Sequence, residues 1–297
     1  LGDSRRKAGK RRASTAFANL PVGRNLGPYD NIGEDKLSPG KEFFFPADSG
    51  IDLNTVIPNI SVVVLAYRSG KTIGAFVETL VKVLEKAEPE WEIVLVGNYH
   101  EGAEDSTPAE VRRIAEGHPR IRSVVKVKDG MMGWDMKSGL AAATGKTLAV
   151  IDGDGQMPAE DVGRVYSLLK DRNLDLAKTY RVSRDDGPYR VFMSRVYNRV
   201  FGFLFPGLEC RDVNSKPKIF TRAVYVRMDL ESNGWFIDAE LMIKARRMKL
   251  KTGELETVFR SLHSRPSFVR PLTTLAFVAN LFWYRLLECR WWFQRPD

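Results

Sequence analysis

At 297 residues the chain is long enough to bury a substantial core, as one large domain or two small ones. Its 43% hydrophobic and 28% charged content excludes a disordered protein, and two cysteines, Cys210 and Cys289, exclude a disulfide framework. The net charge of +9 is uneven, since "RRKAGKRR" at 5–12 holds six of the 46 basic residues.

Such a tail attracts any polyanion, nucleic acid and anionic lipid included, or serves only as a solubilising extension. The basic excess is terminal and no nucleic-acid-binding motif accompanies it, so a nucleic-acid partner is not expected. His100, His118 and His263 do not cluster and the cysteines lack metal-ligand spacing, which argues against zinc and for a reducing, cytoplasmic compartment. The first residues carry no apolar segment of the kind a secretory leader needs.

Residues 1–55, rich in Gly, Pro, Ser and charge, show no sustained period and predict an irregular arm. "ISVVVLAY" (60–67) is a β-branched run suited to burial on both faces of a parallel sheet. "KTIGAFVETLVKVLEKA" (71–87) has apolar residues at helical spacing. "WEIVLVGN" (91–98) predicts a second strand. "TPAEVRRIAEG" (107–117) predicts a helix with Thr107 as N-cap, Pro108 in the first turn and Gly117 at its end. "IRSVVKVK" (121–128) is a third strand, "MKSGLAAATG" (136–145) a small-residue helix stopped by Gly145, and "KTLAVIDGD" (146–154) a fourth strand. Another helix (158–171) and strand (174–182) follow. This alternation means βαβ units and an α/β fold: a single doubly wound, mostly parallel sheet flanked by helices.

Ligands bind outside the carboxyl ends of strands in such sheets. "LAVIDGDGQMP" (148–158) ends a buried strand there on Asp152 and Asp154. Two carboxylates one residue apart repel unless a cation neutralises them. Mg²⁺ or Mn²⁺, with a nucleotide diphosphate completing its shell, would do so. Asp-Gly is also an ordinary turn.

At the other end, "LTTLAFVANLFWY" (272–284) would reach only about 20 Å as a helix, short of the roughly 30 Å hydrocarbon core. With "RLLECRWWFQR" behind it, this tract reads as an amphipathic helix carrying Trp283, Trp291 and Trp292. It would lie at a membrane interface, pack on the core, or pair with another subunit in a homodimer. The predicted organisation is an arm (1–55), a main domain (56–268) and a C-terminal helix (269–297).

The string "ATGKTLAVIDGDGQMPAEDV" (143–162) resembles the signature of family 2 glycosyltransferases, above all the dolichyl- and polyprenyl-phosphate sugar synthases. Their segment reads Ala-x-Gly, apolar strand, Asp-Ala-Asp-Leu-Gln-x-Pro-Pro-Glu, and Gly145, Asp152, Asp154, Gln156, Pro158 and Glu160 fall in step. The resemblance implies the GT-A fold, a nucleotide-sugar donor, and metal binding by Asp152, Asp154 and Gln156. "KTYRV" (178–182) sits where the family has an Arg after its next strand, implying phosphate contact for Arg181. "YRVFMSRVYN" (189–198) is similar to the family's Arg-x-x-x-Ser-Arg-x-x-Asn helix, implying substrate contacts for Arg190, Ser194 and Arg195, with Asn198 in step. "ECRDVNSKPKIFTRAVY" (209–225) resembles the Asp-x-x-x-Gly-Phe-Arg segment, with Asp212 in step. "GWFIDAELMIKARRMKLKTGELETVFR" (234–260) resembles the Phe-x-x-Glu-Leu helix and Gly-x-Glu-x-Pro strand.

Some positions depart from the family. The first strand usually ends Pro-x-Tyr-Asn-Glu, and "LAYRSGK" keeps Tyr67 without the acid. Gly97 and Asn98 replace the acids that hold the nucleotide. "RSLHSRPSF" (260–268) lacks the Arg-x-x-Gly-x-Ser pattern, leaving open which of Arg260, His263 and Arg265 meets phosphate.

The resemblance implies inverting sugar transfer. A lipid-phosphate acceptor, already anionic near neutral pH, needs no strong base. A saccharide hydroxyl acceptor needs a carboxylate, for which Asp212, or Asp238 in the "DAE" pair with Glu240, is the candidate. The leading expectation is a polyprenyl-phosphate acceptor, with peripheral contact at the inner membrane face. A soluble hydroxyl acceptor and a non-catalytic binding protein of the same fold are the alternatives.

Overall fold

The computed structural model describes residues 56–184, 187–260 and 271–293. The arm predicted for 1–55 and the candidates His263 and Arg265 lie outside the described residues.

Seven strands form one sheet in the order β3-β2-β1-β4-β6-β5-β7. β1 (Ile60–Leu65) and β2 (Trp91–Val96) are buried along their whole length. That burial on both faces is why their sequences are apolar runs and do not alternate. β1 pairs in parallel with β2 and with β4 (Thr147–Asp152), and β2 with β3 (Ile121–Val124). β6 (Lys218–Thr221) runs antiparallel to both β4 and β5 (Leu176–Arg184), and β7 (Thr252–Phe259) is parallel to β5. The carboxyl ends of β1, β2, β4, β5 and β7 therefore share one edge of the sheet, joined there by the chain entering β6. Helices α1 (Ile73–Ala87), α2 (Thr107–Glu116) and α4 (Glu160–Asp171) supply apolar residues to one core. α3 (Met132–Ala142), α5 (Pro188–Leu204), α6 (Arg222–Met228) and α7 (Ile237–Arg247) supply the other. The sheet is the α/β, mostly parallel one that the sequence predicts.

Three local expectations are corrected. The N-cap of α2 is Ser106, not Thr107, whose hydroxyl instead donates to Asp105 and accepts from the Ser69 N–H. The third strand stops at Val124, and Val127 keeps only an isolated bridge to Tyr99. α3 begins at Met132 and ends before Ala143, so Gly145 does not stop it. Its early start has a tertiary cause. The N–H groups of Met131, Gly133 and Trp134 donate to carbonyls of Asn233 and Gly234, in place of a local cap.

The C-terminal tract forms part of α8 (Pro271–Phe293). No helix among the described residues is long and apolar enough to cross a membrane. Leu281 is buried, Phe277, Val278 and Tyr284 pack on the core, and the Tyr284 and Phe236 rings lie 4.5 Å apart. Glu288 pairs with Arg247 at 2.5 Å. Phe282, Trp283 and Leu286 are exposed.

Candidate active site

Leu65 is in register with both Val96 and Asp152. Two residues past these strand ends come Tyr67, Asn98 and Asp154, all at the carboxyl edge of the sheet. Glycine between the acids is a steric requirement, because a Cβ on Gly153 would meet Ile73 and Val64 at 2.7 Å. The loop then turns through Gly155 at φ 78°. Asp154 Oδ1 accepts the Gln156 N–H at 3.0 Å, and the Gln156 carbonyl accepts the Arg260 N–H at 2.9 Å. The end of β7 thus fixes the acidic loop.

Antiparallel pairing brings a second set of charges to the same place. Val150 is in register with Lys218, so two residues on, Lys216 faces Asp152. Lys216 Nζ lies 3.2 Å from Asp152 Oδ2 and 3.1 Å from Asp238 Oδ2, and Lys218 Nζ lies 2.6 Å from Asp238 Oδ1. Burial would raise the Asp238 pKa, but the two ammonium groups hold it below the usual carboxylate range. For Lys216, burial works downward and is outweighed by Asp152 and Asp238, so its pKa is raised. Burial draws Lys218 down to about 8, Asp238 opposing and the charges of Lys216 and Lys178 assisting. Sequence reasoning passed over all three lysines. Residue type gave no hint of them; the alternation of "KPKIF" places Lys216, two residues before β6, on the same side as Lys218 only once the pairing of β6 is known.

Beside this cluster Arg181 grips Asp212 bidentately, Nε to Oδ2 at 2.6 Å and Nη2 to Oδ1 at 2.8 Å. Lys178 Nζ donates to Glu254 Oε1 at 2.8 Å and to the Asp212 carbonyl at 2.6 Å. Asn198 on α5 accepts the Val213 N–H at 3.0 Å, tying that helix to the same segment. Arg190 and Ser194 lie on α5, both partly buried, and Arg195 is exposed. Arg195, Asn198, Arg199, Cys210 and Arg211 line an open cleft of about 500 Å³. Glu240 is buried and accepts the N–H groups of Glu231 and Ser232 at 2.7 and 2.8 Å, with Lys244 at 2.8 Å. Its geometry is that of a structural carboxylate.

At the β1–β2 end, the Lys128 ammonium sits 4.4 Å from the Tyr67 ring centroid, Arg68 lies at 5.5 Å, and His100 meets Tyr67 edge-on. Asn98 is buried. It donates to Asp135 at 3.0 Å and Ser138 at 2.9 Å, and accepts the Lys126 N–H at 2.9 Å. Burial raises the Asp135 pKa despite its ion pair with Lys128.

Residues 61–233, more than half of the chain, match the sequence profile described as Glycosyl transferase family 2. The chain belongs to glycosyltransferase family 2. Glycosyltransferase AglD of Haloferax volcanii is 29% identical over 66% of this chain and 32% of its own length. Dodecaprenyl-phosphate galacturonate synthase of Rhizobium johnstonii is 25% identical over 58% of this chain and 50% of its own. The chain thus spans between a third and a half of these two relatives. A dolichyl-phosphate beta-glucosyltransferase of Dictyostelium discoideum is 26% identical over 74% of this chain and 72% of its own. Among solved structures, glucosyl-3-phosphoglycerate synthase of Mycobacterium tuberculosis, crystallised with Mn²⁺, UDP and phosphoglyceric acid, is similar in fold. Its TM-score is 0.57 at 21% identity, covering 81% of this chain and 80% of that one.

The acidic loop of this family 2 chain has a donor set suited to a hard divalent ion. Mg²⁺ takes one or two carboxylates and completes its shell with water and substrate phosphates. Asp152 is one-third exposed at the sheet edge, although Lys216 already holds one of its oxygens. Among the described residues no group of three or more His, Cys, Asp or Glu could cage a metal. The oxygens fit an ion completed by a diphosphate and do not fit an all-protein site.

Proposed function

We propose that this chain transfers a sugar, with inversion, from a nucleotide-sugar donor to a polyprenyl-phosphate-type acceptor at a membrane face. The observation that carries this choice of acceptor is the engagement of the candidate bases. Asp238 is buried between two ammonium groups, Asp212 is held bidentately by Arg181, and Glu240 caps backbone. A hydroxyl acceptor requires one of them to take a proton. A phosphate acceptor arrives as an anion and needs none. The names of the Rhizobium and Dictyostelium relatives, a dodecaprenyl-phosphate and a dolichyl-phosphate enzyme, support the same class.

In this reading the acceptor oxygen attacks the anomeric carbon opposite the departing diphosphate. The new C–O bond forms as the bond to the diphosphate oxygen breaks. Asp152, Asp154 and Gln156 would hold Mg²⁺ or Mn²⁺, which when bound offsets charge on the leaving diphosphate. Tyr67 and Asn98, with Lys128 beside the Tyr67 ring, border the nucleoside. Arg190, Ser194 and Arg195 on α5 orient the acceptor phosphate, a task suited to guanidinium groups. Arg181 acts through Asp212, whose carboxylate it fixes. Arg260, bonded to the Gln156 carbonyl, shapes the acidic loop. The outward residues of α8, Phe282, Trp283 and Leu286, give the apolar contact with the bilayer.

The test is mass analysis of products from a sugar-nucleotide panel with polyprenyl phosphate, 3-phosphoglycerate and free saccharides as competing acceptors, with Mn²⁺ and with EDTA. A polyprenyl-phosphate sugar is the expected product. Transfer only to a soluble acceptor rejects the lipid, and no transfer with any donor rejects the enzyme.

A further inference from the structure

A lysine whose only task was to steady the start of α7 would have no reason to reach the donor edge. Lys218 already meets Asp238 Oδ1 at 2.6 Å, and the Ser215 carbonyl accepts from it at 3.0 Å. Lys216 goes further. Its side chain is 2% exposed, it touches Asp238 on the inside, and on the outside it touches Asp152, whose side chain is 33% exposed. Its remaining close polar neighbour is Met132 Sδ at 3.3 Å, a weak acceptor. Against the Asp-x-x-x-Gly-Phe-Arg pattern counted from Asp212, Lys216 falls at the glycine.

We propose that Lys216 is a tethered cation of the donor site. It neutralises Asp152 from the protein side and attracts the donor diphosphate itself, so that nucleoside diphosphate binding depends only partly on the divalent ion. This rests on the donor reading given above. The physical basis is placement. A desolvated ammonium is poorly screened by salt, so its field reaches into the edge where Asp152 and Asp154 sit. It takes up Asp152 Oδ2, leaving that residue one oxygen for an ion. It also repels any divalent cation placed there, which weakens metal binding at the same atoms. Lys216 is therefore a positioning and charge-balancing residue for the donor site beside Asp152.

Calorimetry with UDP and GDP on the parent chain, in excess Mn²⁺ and in EDTA, tests the first half without any variant. The proposal expects removal of metal to weaken the tighter-binding nucleotide by less than about tenfold, whereas a loss larger than that overturns it. Mn²⁺ binding alone, followed by electron paramagnetic resonance, tests the second half by comparing the parent with Lys216→Met and Lys216→Arg. Lys216→Met should bind Mn²⁺ at least about tenfold more tightly and Lys216→Arg should match the parent. Equal Mn²⁺ affinity in folded Lys216→Met overturns the proposal. Should Lys216→Met not fold, the parent comparison in EDTA decides alone. Binding that is strictly metal-dependent sinks this inference and leaves the glycosyl-transfer reading standing, whereas no nucleotide binding under either condition removes both.

Discussion

Asp238→Asn separates an ion-pair role from a catalytic one. The carboxylate lies 3.1 Å from Lys216 and 2.6 Å from Lys218, and it is 1% exposed. Replacing it with an isosteric amide leaves two ammonium groups buried with half their compensation gone. Breaking a buried pair in this way costs about 3–5 kcal/mol, because a stranded charge keeps its desolvation penalty. Urea unfolding followed by circular dichroism reads this directly. With a denaturant slope of about 3 kcal/mol per molar for a domain of this size, the midpoint should fall by about 1–2 M. The effect has a pH signature. Asp238 has a depressed pKa, so its contribution is complete above the ordinary carboxylate range and is lost as pH falls through its folded value. Parent and variant should therefore converge in acid. If Asp238→Asn unfolds within about 0.5 kcal/mol of the parent while turnover disappears, the ion-pair account is refuted and the group is acting as a base.

Lys218 gives the opposite pH dependence, because its pKa falls from 10.5 unfolded to about 8 folded. Between those values the unfolded chain binds more protons, so stability rises with pH relative to Lys218→Met, by up to about 3 kcal/mol, measurable by urea titrations at pH 7 and pH 10. A flat difference would show that Lys218 keeps its unfolded pKa and stays charged across that range. Gly145→Ala should lose about 1–3 kcal/mol in the same assay, since the added Cβ would meet Ser61 Oγ at 2.5 Å and Ser61 N at 2.7 Å. Trp283→Ser with Leu286→Ser should leave thermal stability unchanged and weaken sedimentation with anionic vesicles by about thirtyfold or more, each side chain contributing about 1 kcal/mol or more of apolar transfer. Unchanged vesicle binding would refute the proposed membrane role of this face of α8.

The strands of the sheet interior were readable because total burial leaves no polar alternation: "ISVVVL" and "WEIVLV" could hardly be anything else. The acidic pair was readable for the converse reason, two charges where an apolar run ends. α3 escaped because the groups that cap its start belong to residues 233 and 234, about a hundred positions away, and local patterns carry no trace of them. Thr107 was a plausible cap by type, yet Asp105 and Ser69 claim its hydroxyl. Lys178, Lys216 and Lys218 were invisible for a deeper reason. Lysine ordinarily signals solvent, and only the antiparallel register of β6 reveals that these three point inward among carboxylates. That register changed the reading of Asp238 from a free base to a paired anion, and the bidentate grip of Arg181 on β5 did the same for Asp212.

That four-residue strand works as a ruler. Deleting or adding one residue between Asp212 and Lys218 would rotate every side chain of β6 to the opposite face of the sheet. Both ammonium groups would swing into the apolar layer behind, and Ile219 would turn toward Asp238. Length changes are tolerable in the surface loops of this fold, but here the count of residues itself sets which charges face Asp152 and Asp238.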